Sequence, residues 1–204
     1  MTKVQLVKSH FRKVDPIIYQ VIVEMNLEPL AKSKTSPNYF SKLCREIIAQ
    51  QLAGKAATAI TNRFSALFPK RRVTPDKVLA LKEEDLRQVG MSWAKARYIR
   101  DLAQKIKNRE VNLRNLNRLE DEPVVEELTK VKGIGRWTAE MFLMFTLGRE
   151  DIFSHGDLGL RKAILMLYGL SDKVSRAEVE EIVAKWTPYK SYGCIALWES
   201  LEKQ

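Results

Sequence analysis

The stretch from Leu128 to Leu147, LTKVKGIGRWTAEMFLMFTL, constrains this chain more than any other. A helix end over Leu128–Val131 runs into Gly133-Ile134-Gly135, and a helical pattern starts again at Arg136. Trp137, Met141, Met144, Phe145 and Gly148 recur at helical spacing, which predicts an apolar core-facing helix. Two glycines between two helices permit a tight turn with unusual backbone angles and no Cβ in the way. Such a turn turns backbone N–H groups outward beside a helix N-terminus, where a phosphate can sit. A plain corner with a glycine C-cap has the same spelling. The motif alone leaves both readings open.

The rest of the chain reads as helix, and no clear strand alternation occurs. Apolar positions run through Val4, Val7, Phe11, Ile17, Ile18, Val21 and Ile22, with Pro16 ending one helix and opening the next. Residues 28–38 read as a loop. Residues 39–67 predict two helices with a break near Ala53-Gly54. Thr74-Pro75 reads as an N-cap with proline at the first helical position, followed by short helices to Leu81 and over 83–88. Residues 109–122 are loop-like, and Glu122-Pro123 opens the helix entering the glycine turn. Ser175 to Glu178 spells a capping box for a helix over 176–186, and a last helix lies between Pro188 and Leu201. Gly90-Met91-Ser92-Trp93-Ala94-Lys95-Ala96 echoes Gly133-Ile134-Gly135-Arg136-Trp137-Thr138-Ala139, each after a Leu-x-x-Val segment; chance similarity of two corners explains it as well.

Charge narrows the class of partner. The net charge is +10, and residues 1–102 carry 19 Lys+Arg against 9 Asp+Glu while residues 103–204 carry 16 of each. One basic half suggests a polyanion or an anionic membrane surface. The positive residues are scattered rather than gathered on one amphipathic helix, which weakens the membrane reading. No apolar run is long enough to span a bilayer, and MTKVQLVKSHFRK is too charged for a signal peptide. Cys44 and Cys194 read as buried free thiols in a reducing compartment. Two cysteines and two histidines, far apart, make neither a zinc nor an iron–sulfur site.

Asp157 is the best single candidate for chemistry, at the head of the helix carrying Leu158, Arg161, Leu165 and Tyr168. An aspartate there also has an ordinary explanation as a cap for backbone N–H groups. The same placement orients a carboxylate to stabilise a developing cation or to take a proton from water.

VKGIGRWTAEMFLMF followed by FSHGDLGLRKAI resembles the helix-hairpin-helix (HhH-GPD) DNA glycosylase superfamily, and the whole set is most similar to its 3-methyladenine DNA glycosylase II branch. IIAQQLAGKAA (47–57), GMSWAKARYIRDLA (90–103) and WTPYKSYGCIALW (186–198) resemble further segments of that branch, in the same order over roughly residues 40–200. The chain departs from the pattern at Ser154-His155-Gly156, a loop without proline, and it has no room for the N-terminal β-domain of some members.

The resemblance implies an all-α, two-lobed helical bundle with a helix-hairpin-helix motif and an active-site cleft between lobes of about 1–38 plus 150–204, and 39–149. It implies that Lys132, Gly133, Ile134, Gly135 and Arg136 contact DNA and that the hairpin grips a backbone phosphate. Backbone carbonyls of Thr129, Val131 and Gly133 would hold a monovalent cation, Na+ or K+; no other cofactor is expected. Asp157 would be the catalytic carboxylate. Gln51 stands where relatives insert a side chain into the gap left by an extruded base, with Leu52 the neighbouring candidate. Trp137, Tyr189 and Met141 fall at base-pocket positions, with core packing the competing reading, favoured for Met141. Tyr39, Phe40 and Trp198 read as core.

An enzyme acting on a base inside a duplex must flip it out. Loss of the base builds positive charge on the sugar, which a fixed carboxylate stabilises. An alkylated purine is already cationic and leaves readily. Aromatic faces attract it by about 0.5–2 kcal/mol per contact. Bifunctional members of the superfamily have a Schiff-base lysine at the position of Trp137, so tryptophan there implies a monofunctional glycosylase that leaves an abasic site. The four-cysteine cluster of the endonuclease III branch is missing. The expected partner is double-stranded DNA with alkylated bases, bound without a membrane by a protein taken as a monomer, in the cytoplasm or nucleoid, or the nucleus of a eukaryote. The alternative is a non-catalytic duplex-binding module on the same hairpin, with Asp157 merely a cap.

Overall fold

The structure, a computed structural model, describes residues 1–30 and 38–202. The all-α expectation holds: among the described residues there are twelve α-helices, three short 3-10 turns and no strand. None of these helices is long and apolar enough to cross a membrane. The chain divides into two compact units, Met1–Lys32 with Leu143–Gln204, and Ser33–Phe142. Most of the loop expected over 28–38 lies outside the described residues.

The first unit holds α1 (Lys3–Val14), α2 (Pro16–Glu24), α10 (Leu158–Leu167), α11 (Arg176–Val183) and α12 (Lys190–Glu202). Asp15 separates the first two helices. Its Oδ1 accepts the N–H groups of Ile17 and Ile18, and Pro16 occupies the first helical position, where no N–H is needed. Its Oδ2 accepts the Tyr168 hydroxyl at 2.6 Å and the Trp186 indole N–H at 2.7 Å. This buried carboxylate is thus fully hydrogen-bonded. Burial and the neighbouring Asp15 push the Tyr168 phenol far up, so it stays a donor. Around it Val7, Phe11, Ile18, Ile22, Leu160, Ile164 and Leu197 are fully buried, each contributing about 1.5–3 kcal/mol. α12 packs on α2 and α10 and is buried on several sides. Gly193 is required there: a Cβ would lie 2.3 Å from the Trp186 ring. Ile17, expected in the apolar pattern, is 45% exposed.

The second unit holds α3 (Tyr39–Ala49), α4 (Gly54–Ala66), α5 (Pro75–Ala80), α6 (Glu83–Gln88), α7 (Trp93–Lys107), α8 (Asp121–Thr129) and most of α9 (Arg136–Phe145). α7 is its spine, packed against α3, α5 and α6 through Ala96, Ile99, Leu102 and Ala103. Leu43, Ile47, Phe64, Leu86, Val124, Leu128 and Phe142 complete its buried apolar core. Cys44 and Cys194 are buried thiols outside any disulfide, one in each unit, and burial pushes the Cys44 thiol up, away from the reactive thiolate.

Several expected boundaries move. Thr74 makes no side-chain capping bond, and α8 starts at Asp121, with Pro123 on its third residue. The Ser175–Glu178 capping box forms, but α11 ends at Val183 and continues as a 3-10 turn over Ala184–Trp186. Gly148 is not on the face of α9. It lies past the helix end with φ +68°, and the Arg149 N–H returns to the Leu143 carbonyl at 3.0 Å, a glycine-dependent C-terminal closure.

Candidate functional site

The glycine turn joins α8 to α9. The Val131 N–H returns to the Leu128 carbonyl at 3.1 Å, and the Ile134 N–H to the Val131 carbonyl at 3.1 Å. Gly133 sits at φ +82° between them, a left-handed conformation open to glycine at little cost. Its missing side chain also matters for packing. A Cβ there would fall 2.1 Å from Cδ2 of Tyr98, so the Tyr98 ring occupies that space and seats the turn on α7. The Lys132 N–H donates to Asp101 Oδ2 at 2.9 Å, a second tie to α7. Ile134 is buried as the anchor of the turn, while Lys132, Gly133, Gly135, Arg136 and Trp137 are exposed. The second corner follows the same backbone rule: Gly90 has φ +101°, and Ser92 caps α7 by accepting the Lys95 N–H.

The turn between α3 and α4 is tied to this hairpin. Gln50 donates from Nε2 to the Gly133 carbonyl at 2.8 Å and to Thr138 Oγ1 at 3.2 Å. Lys95, the first-turn lysine of α7, donates from Nζ to the carbonyls of Ile48 at 2.8 Å and Gln50 at 2.5 Å. These carbonyls are orphans of the α3 C-terminus, where a cation is electrostatically favoured. Burial lowers the pKa of this ammonium. Between these ties the next two residues project: Gln51 lies at φ +56°, and it and Leu52 are exposed. The structure therefore brings together the hairpin and the two candidate inserting residues, through Gln50 and Lys95, which the sequence reading had assigned no role.

Arg136 is held differently from a free DNA-contacting cation. Its guanidinium meets Glu122 at 2.7 and 2.6 Å and Glu140 at 3.2 Å. The Arg136 pairing holds the Glu122 carboxyl below its usual range and raises Arg136 in turn. Met141 is buried, consistent with the core packing weighed for it, whereas Trp137 is 43% exposed.

Asp157 lies in the first unit. It is 8% exposed and caps α10, its Oδ1 accepting the Leu160 N–H at 2.8 Å. The same oxygen lies 3.4 Å from the indole Nε1 of Trp198, which was expected in the core and instead stands half-buried beside the carboxylate. Gly159 makes this approach possible, since a Cβ there would lie 3.1 Å from Asp157 Oδ1 and 3.5 Å from Trp198. A small cavity of about 70 Å³ abuts Asp157, with Ser154, His155, Arg161 and Arg176 in its wall. That space suits water rather than a base. His155, in the proline-free loop, has its Nε2 2.7 Å from Glu180, whose other oxygen lies 3.4 Å from Lys190 Nζ. Tyr189 is half-buried, with His10 and Tyr192 as ring neighbours and the Lys3 ammonium 5.4 Å from its centroid. The role of Trp198 had no local signal, because it depends on α12 meeting Asp157 in space.

Residues 44–189 match the profile of the HhH-GPD superfamily base excision DNA repair proteins. A putative DNA-3-methyladenine glycosylase of Bacillus subtilis is 32% identical over 204 residues, covering 97% of this chain and 69% of that protein. The crystal structure of a DNA-3-methyladenine glycosidase from Bacillus halodurans superposes with a TM-score of 0.78 at 35% identity, over 95% of this chain and 88% of that one. The Schizosaccharomyces pombe 3-methyladenine DNA glycosylase, solved in complex with abasic DNA, gives 0.78 at 27% identity over 97% of both chains. With its glycine hairpin, its capped aspartate and a family match over most of its length, the chain belongs to the HhH-GPD superfamily of base excision DNA repair proteins.

Proposed function

We propose that this chain is a monofunctional DNA glycosylase that extrudes alkylated purines of the 3-methyladenine type from duplex DNA and hydrolyses their N-glycosidic bond. The observation that carries the reading is Asp157, a buried carboxylate with one oxygen fixed by a backbone N–H and an indole N–H. As the C1′–N bond breaks, its electron pair goes to the cationic base, which leaves neutral. Positive charge develops on the sugar, and the fixed carboxylate stabilises it without reorganising. A water attacks C1′ and gives up its proton to the carboxylate or to solvent, which leaves an abasic site. The small cavity against Asp157, with Ser154 and His155 also in its wall, has room for that water.

The second unit serves as the grip. The exposed backbone of Gly133 and Gly135 takes a strand phosphate at the N-terminus of α9, with Lys132, Ile134 and Arg136 around it. Gln51, on the apex of its turn, fills the gap left by the base, with Leu52 beside it. Trp137, exposed in the first turn of α9, offers an aromatic face to a cationic base, and an indole at position 137 has no amine for a Schiff base. The hairpin carbonyls of Thr129, Val131 and Gly133 are hard oxygen donors suited to Na+ or K+. Val131 and Gly133 each accept one hydrogen bond and keep a second lone pair for it. The protein acts as a monomer where the DNA is, in the cytoplasm or nucleoid, or in a nucleus.

The test is base release from methylated duplex DNA by wild type and Asp157→Asn, with released bases identified by chromatography. Asparagine keeps the cap on α10. Release by wild type alone, with a loss of about a hundredfold or more in the variant, is the expected result. No release by wild type from a panel of damaged bases, with binding intact, would mean a non-catalytic duplex-binding module. Strand nicking without alkali or heat would refute the monofunctional assignment.

A further inference from the structure

We infer that a second backbone phosphate of the bound strand is held beside the hairpin, in a depression formed by α7 and Lys132. This inference rests on the reading of the hairpin as a DNA grip. The depression measures about 460 Å³ and lies wholly in the second unit, with Arg97, Tyr98, Arg100, Asp101, Gln104 and Lys132 among its lining. Arg97, Arg100, Asp101 and Gln104 fall at helical spacing along one stripe of α7. The stripe is locked to the hairpin by the Tyr98 ring under Gly133 and by the Asp101–Lys132 hydrogen bond.

The charges of the depression are unequally engaged. Arg100 donates from Nη1 to the Leu81 carbonyl at 2.5 Å and stands 3.9 Å from Glu83. Asp101 accepts the Lys132 backbone N–H, and Gln104 donates to Asn108 at 2.8 Å. The Arg97 guanidinium and the Lys132 ammonium remain, both exposed, with no ion pair or hydrogen bond to another described residue. The unit that carries them has 22 Lys+Arg against 13 Asp+Glu, a net +9, while the other unit is at +1. A planar guanidinium offers paired N–H donors to a phosphate, and an ammonium adds a point charge. A groove so charged, one residue from a phosphate-gripping turn, fits the next stretch of the same polyanion. Contacts of this kind set the register of the duplex without reading its bases.

The experiment is a scan of duplexes carrying a non-hydrolysable abasic analogue, with one phosphate at a time replaced by neutral methylphosphonate. Binding is read by fluorescence anisotropy for wild type, Arg97→Gln and Arg97→Gln/Lys132→Gln, after equal thermal melting has shown that the variants fold. Wild type should lose affinity at two phosphate positions. Arg97→Gln should bind roughly three- to tenfold more weakly. Its log Kd against log salt should lose about 0.9 of slope. Neutralising the second phosphate should then cost Arg97→Gln less than wild type, because Lys132 still reaches it, and cost the double variant nothing more. A wild type sensitive at the hairpin phosphate alone, or a variant with the wild-type scan, overturns the second subsite and leaves the hairpin reading standing. A wild type insensitive at every phosphate overturns both.

Discussion

Replacing Gly133 by alanine tests how the hairpin is held. The backbone there is left-handed at φ +82°, and a residue with a Cβ pays roughly 1–2 kcal/mol in that region. The added carbon would also lie 2.1 Å from Cδ2 and 2.4 Å from Cγ of Tyr98. These atoms belong to the ring base rather than to a mobile tip, so the ring or the turn must shift, at about 1–3 kcal/mol for overpacking. Together the two effects give about 2–5 kcal/mol, a large part of a typical domain's 5–15 kcal/mol. Urea denaturation is the assay, read as a lowered midpoint with the slope unchanged. Combining the change with Tyr98→Ala removes the steric part and leaves the backbone part. The double variant should therefore be less destabilised than the sum of the singles by about 1–3 kcal/mol. A Gly133→Ala protein within about 0.5 kcal/mol of wild type, or a strictly additive double variant, would refute the packing argument.

Two further outcomes follow from the same unit. Lys95→Met removes the donor shared by the Ile48 and Gln50 carbonyls, so it should cost about 1–2 kcal/mol in urea melts and loosen the Gln51–Leu52 turn, seen as faster amide exchange there. Protonating Glu122 should weaken its two-pronged hold on Arg136, which stays paired with Glu140. The folded pKa of Glu122 is below its ordinary 4.5, so its contribution to stability is present above about that pH and is lost as pH falls through the depressed value. In Glu122→Gln the thermal midpoint should show less of this acid-side decline; an identical decline in both proteins would rule out the pair as its source.

Much of the architecture was legible locally because local forces determine it. The 3.6-residue spacing of apolar residues marks helices, and caps such as Asp157 and Ser175 mark where they start. The Gly133 turn was visible for the same reason, since a backbone conformation that favours glycine is written as a glycine. Boundaries were less legible at α8 and α11, where no cap bond, or a change to a 3-10 turn, decides the end.

By itself, then, the amino-acid order determined an all-helical chain with a glycine hairpin, a capped aspartate, an uneven charge and a family resemblance that holds. Tertiary structure decided which groups meet. Trp198 reaches Asp157 from 41 residues away, Gln50 reaches Gly133 from 83, and Asp15 gathers Tyr168 and Trp186 from the far end of the chain. Nothing local marks such pairs, because a hydrogen bond between distant residues leaves no periodicity in the sequence. It arises only once packing has brought the helices that carry them to within about 3 Å of contact.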